Sequence, residues 1–338
     1  MTSNPAEAAA SGADQGRPDR GQPRSSSRLS RLLVQNAVLL VLLVTFVIFS
    51  VLEPETFFTT ANVRTMISTQ AIVLIIAIGL TLPLRAGDMD ISIAGVLAAS
   101  ASVLAVLTTN GVPTIVAIVA ALAVGAVVGA VNAFFSVVVG VDSFVVTLGM
   151  FTLLTGFAYG ITGARVQTGV PPIIKDIASW TFFGFPATVW YAWIFVLITW
   201  YLYERTPLGR YILFVGGNRS AARLAGVNVS GIRWLAFLGA SMLGAVAGIL
   251  LAGTYGAVDP SIGSQYLLAP FAAAFLGATT IRVGRFNAVG TMVALYLLVV
   301  GITGLQLLGA ASWVGDVFNG AALIISVTLA KIASKWNT

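Results

Sequence analysis

Residues 91–141 include no charged side chain, and that one feature decides what kind of fold is open to the chain. A helix that crosses a bilayer needs about 20 predominantly apolar residues. The stretch is therefore long enough for two, divided at the turn signal Asn110-Gly111-Val112-Pro113. Uncharged runs of similar length recur at 32–52, 65–84, 143–164, 186–203, 234–258, 260–281 and 286–308. A tenth run, 313–332, carries Asp316 near one end. Only 9% of the side chains are charged, against about 25% in a soluble globular chain. So few charges cannot cover the surface of a soluble domain this size, and the expected solvent is lipid. The fold class expected is an all-α integral membrane protein of about ten transmembrane helices.

An even number of spans places both termini on one side. If that side is cytoplasmic, only Arg64, Arg165 and Lys175 of the 18 basic residues fall outside. The bias is what the positive-inside rule requires, and it supports the count as well as the orientation. Residues 1–30, rich in Ala, Gly, Pro, Ser and Arg without apolar periodicity, read as a disordered basic cytoplasmic tail ahead of a permease domain at 31–338. Arg28 and Arg31 before the first apolar run look like the start of a signal peptide. The run is too long, however, and Glu53-Pro54-Glu55 follows it in place of a cleavage site, so it reads as an uncleaved anchor in a multi-pass inner-membrane protein.

The chain has no cysteine and no histidine. That excludes disulfides, thiol nucleophiles, histidine acid–base chemistry and the usual zinc or haem ligands, so neither a metal nor a cofactor is expected on this chain. Its three lysines, Lys175, Lys331 and Lys335, do not follow a glycine, so no phosphate-binding Gly-x-x-x-x-Gly-Lys-Ser/Thr loop exists. If transport is driven by ATP and magnesium, a partner subunit binds them. Nucleic acid is not an expected partner. Gly125/Gly129, Gly156/Gly160 and Gly244/Gly248 stand at a four-residue spacing that lets helices approach closely; packing inside the bundle is the expectation, with a dimer seam as the alternative.

Two connections are long. The external one, 165–185, contains Pro171-Pro172, Lys175, Asp176 and Trp180. The internal one, 204–233, is the longest polar stretch after the tail, and loops of that length are usually functional or disordered. Within it Asn218 suits a helix N-cap and Gly226 the residue past a helix end, which predicts a two-turn helix over 219–225. A helix that short needs a partner surface. Ala221, Ala222, Leu224 and Ala225 give it small apolar faces, flanked by Arg219 and Arg223. Insertion into a groove on another protein and adsorption on anionic lipid are equally compatible with that pattern.

The segment Thr206-Pro-Leu-Gly-Arg-Tyr, Gly-Gly-Asn218 and Ala221-Ala-Arg-Leu-Ala-Gly-Val-Asn-Val resembles the cytoplasmic coupling loop of ribose-type ABC transporter permeases. Arg85-Ala-Gly-Asp-Met-Asp90-Ile-Ser-Ile-Ala-Gly95 is similar to that family's Gly-Gly-Ile-Asp-Leu-Ser-Val-Gly signature, departing from it at Asp88, where a second glycine is common. Phe144-Val-Val-Thr-Leu-Gly149-Met, Thr162-Gly-Ala-Arg165, Ala274-Phe-Leu-Gly277-Ala-Thr-Thr and Gly284-Arg-Phe286 extend the likeness from about residue 62 to the C-terminus. The resemblance implies a ribose-type permease fold working as a homodimer or heterodimer, two cytoplasmic ATP-binding subunits, and a periplasmic solute-binding protein. It implies further that Asn218, Arg219, Ala221, Ala222, Arg223, Leu224 and Gly226 form the coupling element.

Two further groups of residues are functional candidates. Asp90, just ahead of an apolar run, reads first as a helix N-cap; the sharper expectation pairs Asp88 and Asp90 with Arg85 as a gate. Polar groups inside spans are few, and Asn132 and Thr147, with the aromatic faces of Phe144 and Phe151, are the candidates for a solute path. In-span Ser and Thr usually bond their own helix. The function expected is a permease subunit importing a monosaccharide or sugar-like solute, with no enzymatic activity of its own. Branched-chain amino acids or nucleosides are alternative cargo. A secondary transporter would need ionisable groups near the bilayer midplane, which these runs lack, and an enzyme would need a richer polar cluster.

Overall fold

The computed structural model describes residues 36–335, and side chains to residue 328; the tail and the first residues of the 32–52 run lie outside it. Helices α1 (Ala37–Leu52), α2 (Thr60–Thr69), α3 (Ala71–Arg85), α4 (Ser92–Thr109) and α5 (Thr114–Ala133) open the described chain. A π-helical turn, Phe134–Val139, continues α5, and Gly140 in the left-handed region ends it. Then come α6 (Ser143–Thr162), α7 (Pro172–Ser179), the hairpin β1 (Thr181–Phe182) and β2 (Phe185–Pro186), and α8 (Ala187–Arg205). Two short helices, α9 (Pro207–Gly217) and α10 (Arg219–Leu224), lead to α11 (Val229–Tyr255). A 3-10 turn at Ile262–Tyr266 precedes α12 (Leu268–Gly277), α13 (Ala288–Leu307) and α14 (Val314–Lys335).

Each of the ten apolar runs holds a helix. Five helices among the described residues are long and apolar enough to cross a membrane, and α2 with α3 makes a sixth if that bent pair is one span. The run 65–84, read as one helix, is broken at Gln70 by a 41° bend. The hydroxyls of Thr65 and Thr69 donate back to the carbonyls of Ala61 and Thr65 at 2.9 and 3.0 Å, a competition for backbone acceptors that bends helices.

A helix apolar on every side belongs in the interior, and α3 is one: Leu74 to Ile78 are completely enclosed. Around it α4 and α11 complete the centre, with α5 and α6 on one flank and α8, α12 and α13 on the other. Gly125 and Gly129 set close contacts between α5 and α11. A Cβ on Gly125 would stand 2.8 Å from the Ser241 carbonyl oxygen of α11, and one on Gly129 2.9 Å from the Leu238 Cα. Gly244 and Gly248 pack likewise on α4. The third pair corrects the expectation of bundle packing. Gly156 and Gly160 meet nothing within 4 Å, because α6 buries only the Thr147, Leu154, Ala158, Thr162 stripe and turns its glycines outward.

The external connection is ordered. A main-chain pairing of Gln167 with Val258 anchors it, α7 packs on α11, and the hairpin turns through Phe183 and Gly184, both with positive φ.

Candidate coupling site

The site begins where α3 ends. Pro83 brings no amide of its own, and the chain leaves the helix in a Schellman turn: the Asp88 amide donates to the Pro83 carbonyl at 2.9 Å and the Gly87 amide to that of Leu84 at 3.2 Å. Gly87 holds the left-handed conformation at φ +79°, the conformation such a turn requires. The turn lies directly against the end of α9, where a side chain at Gly216 would collide with the Arg85 carbonyl. What the turn accomplishes is to point three successive charged groups in three directions.

Asp88 points toward the short helices. Its side chain is 3% exposed, and its Oδ1 accepts from Arg219 Nη2 at 2.9 Å and Arg233 Nη2 at 2.8 Å, while Oδ2 accepts from Arg233 Nε at 2.7 Å. Arg233 thus makes a two-pronged fork on the carboxylate, the strongest geometry an arginine offers. The same two arginines also bind main chain: Arg219 donates to the Gly87 carbonyl at 2.8 Å and Arg233 to the Ser136 carbonyl of the π-helical turn at 3.1 Å. One carboxylate therefore fastens α10, the start of α11, the end of α5 and the α3–α4 turn to each other.

Arg85 points the other way. Its guanidinium lies over the Tyr203 ring, 4.1 Å from the centroid, and donates to the Phe286 carbonyl at 2.9 Å. The expected ion pair of Arg85 with Asp88 and Asp90 is thus corrected: Arg85 is held by Tyr203 and the Phe286 carbonyl, Asp88 by Arg219 and Arg233, and Asp90 by Ser92.

Asp90 points inward and is fully buried. Its Oδ1 accepts from the Ser92 amide at 3.0 Å and from the Ser92 hydroxyl at 2.6 Å, so it caps the start of α4 as the local pattern suggests. Asn132 of α5 donates in turn to the Ser92 hydroxyl at 2.7 Å. Burial pushes the Asp90 carboxyl up to about 6, opposed by the Ser92 hydrogen bonds.

The four candidate path residues separate. Asn132 and Thr147 are fully enclosed, and Thr147 accepts from the Ile91 amide at 3.1 Å while donating to the Ser143 carbonyl at 2.8 Å. Thr147 ties the 86–91 turn to α6, and Asn132 ties the first residue of α4 to α5. Phe144 is exposed and Phe151 half-buried on α6.

The internal connection, read as a loop with one helix, is helical for most of its length. Thr206 caps α9 by accepting from the Gly209 amide at 3.3 Å, with Pro207 in the first turn where its missing amide costs nothing. Ile212 and Val215 of α9, Ala222 of α10 and Val229, Ile232 and Ala236 of α11 share one small core with Tyr203. Asn218 accepts from the Ala221 amide at 2.9 Å, and Gly226 at φ +79° ends α10. Only Ala222 of this helix is buried; Leu224 is 91% exposed. Leu224 is thus a large aliphatic side chain held out on an otherwise fastened helix.

Sequence reasoning missed Arg233 and Tyr203. The one signal for Arg233 was the scarcity of carboxylates, Asp88 among them, on the face carrying nearly all the arginines.

The family model described as the branched-chain amino acid transport system permease component matches residues 62–327. The ribose import permease protein RbsC of Escherichia coli K12 is 33% identical over 300 residues, covering 87% of this chain and 93% of that protein. The Haemophilus influenzae ribose import permease is 26% identical over 307 residues, with 90% and 95% covered. The autoinducer 2 import system permease LsrD of Photorhabdus laumondii is 33% identical over 259 residues, with 75% and 78% covered. No solved structure matches. With the match running from the third residue of α2 to within the last helix, the chain belongs to this family of membrane transport permeases.

Proposed function

We propose that the chain is the membrane-spanning permease subunit of an ATP-driven importer for a sugar or sugar-like solute, crossing the inner membrane ten times with both described ends cytoplasmic. The cargo follows the names of the relatives, which import ribose and autoinducer 2. The single observation that carries the coupling half of the reading is α10: Leu224 stands free at its tip while Arg219, at its base, is fastened to Asp88 between two buried spans. A cytoplasmic ATP-binding subunit gripping Leu224, with ATP and magnesium held on that partner, then pulls on the helices rather than on a slack loop. A periplasmic solute-binding protein delivers cargo to the opposite face. A second permease chain packs on the outward face of α6, where a side chain at Gly149, Gly156 or Gly160 would meet nothing within this chain.

Leu224→Asp tests the reading. Insertion and melting should match the parent, because the side chain touches nothing it could lose, while co-purification of the ATP-binding subunit disappears; normal transport by L224D would overturn the assignment. Ion-coupled transport is the competing reading. Every carboxylate on a spanning-length helix here sits at or next to its end, among the described residues, so vesicles with this chain alone should not concentrate solute under an ion gradient.

A further inference from the structure

Beside α8 and α13 the protein carries two cavities, and together they suit a ligand that neither would hold alone. The first, about 460 Å³, is at the end of α8 and is lined by Glu204 and Arg205, by Arg282 from the α12–α13 connection and by Asn287 at the head of α13. The second, about 510 Å³, runs along the spans between Trp193, Val196 and Leu197 of α8 and Met292 and Tyr296 of α13. Trp200 and Val289 line both. They form one groove with a charged mouth and an apolar length, each part within the usual size of a ligand site.

The polar groups in the apolar part are spent on each other: the Trp193 indole donates to the Tyr296 hydroxyl at 2.8 Å. At the mouth the Glu204 carboxylate is spent on Arg282 at 3.0 Å. Arg205 lies 5.8 Å from the Trp200 ring and has no carboxylate partner among the described residues. The mouth therefore keeps a net positive charge, on the membrane face that carries α9 and α10. A polar solute has no use for the apolar length, and a free anion has no use for it either. A molecule with an anionic head and a hydrocarbon tail satisfies both. Arginine forks match phosphate oxygens, basic pockets between spanning helices on the cytoplasmic side take anionic head groups, and tryptophan is the side chain that sits at that level of the bilayer.

We propose that this groove binds one anionic phospholipid, with its phosphate at Arg205 and Arg282 and an acyl chain along Leu197 and Met292. The test is lipid retention by the detergent-purified full chain after exchange into nanodiscs of phosphatidylethanolamine with or without phosphatidylglycerol, read by native mass spectrometry. The parent should retain phosphatidylglycerol selectively. Arg205→Gln, which gives up no hydrogen bond or ion pair and so leaves the fold intact, should cut that retention roughly fivefold, and R205Q with R282Q about tenfold or more. Val289→Trp, filling the junction, should lower retention with both arginines in place. Equal retention of the neutral lipid, unchanged retention in the double variant, or full displacement by glycerol phosphate would each overturn the proposal, the last by showing a simple anion site. No partner subunit enters the measurement, so its failure leaves the transport reading untouched.

Discussion

The chemistry of the site is concentrated in two aspartates that are neighbours in sequence and opposites in environment. Asp88 is buried with more than its charge in arginine around it. Taking it away leaves Arg233, 11% exposed, without a counter-ion, and breaking a buried pair from one side costs about 3–5 kcal/mol. Asp88→Ala should therefore lower the melting temperature in detergent sharply, and Arg233→Gln comparably. Arg219→Gln should cost far less, since Arg219 is 40% exposed and exposed pairs contribute little. Equal losses for the two arginines would refute the ranking. Asp90 is buried without a cation. Its carboxyl titrates at about 6 when folded against an ordinary 3.8, so between those values the folded chain keeps a proton that the unfolded chain has released. Stability falls as pH rises from about 4 to 6 and stays lower above, by roughly 3 kcal/mol. Asp90→Asn keeps the oxygen that Ser92 needs and removes the charge. It should melt higher than the parent at pH 7, with the gain vanishing near pH 4. The Asp90 cap was legible in the sequence because its partner is two residues away. The Asp88–Arg233 fork was not, because 145 residues separate the two and nothing local ties an arginine to one carboxylate over another.

Among the elements, those with a local start and stop signal were legible and those shaped by tertiary contact were not. Asn110 to Pro113 divides α4 from α5 as the turn residues indicate, and Asn218 and Gly226 bound α10. Thr206-Pro207 was an equally good start signal for α9, obscured because the stretch after it is too short to read as a span. The orientation of α6 was illegible for a different reason: all three glycine pairs satisfy the same spacing, and only packing tells which face inward. That difference is testable. Gly156→Leu adds a side chain where nothing stands within 4 Å and removes a helix glycine worth about 1 kcal/mol, so the isolated chain should melt no lower than the parent. If a second permease chain closes on this face, G156L should nonetheless abolish dimer cross-linking and uptake. Full uptake would place the seam elsewhere. At the opposite end, Phe183 holds a left-handed backbone at φ 47° and is 79% exposed, a strained and hydrophobic tip whose only ring contacts among the described residues are with Phe182 and Trp190. Phe183→Gly should leave the chain folded and weaken capture of the solute-loaded binding protein.

For the whole molecule, the proposed coupling requires that a push on one small helix be carried into the spans. A partner can shift an equilibrium only through contacts that differ between its states, so something must join α10 to the spans. The connection runs through Arg219 to Asp88, from Asp88 to Arg233 at the head of α11, and from α11 to the three spans it packs on, α3, α4 and α5. Arg219 is the one replaceable link in this series, because the Arg233 fork and the Leu224 tip both survive its loss. Arg219→Gln in the assembled importer should therefore leave the ATP-binding subunit attached and hydrolysing while solute moved per ATP consumed falls severalfold. The ratio separates the two roles the residue can have. A fastener that merely steadies α10 loses assembly and hydrolysis together with uptake, keeping the ratio constant; a transmitting contact loses the ratio itself.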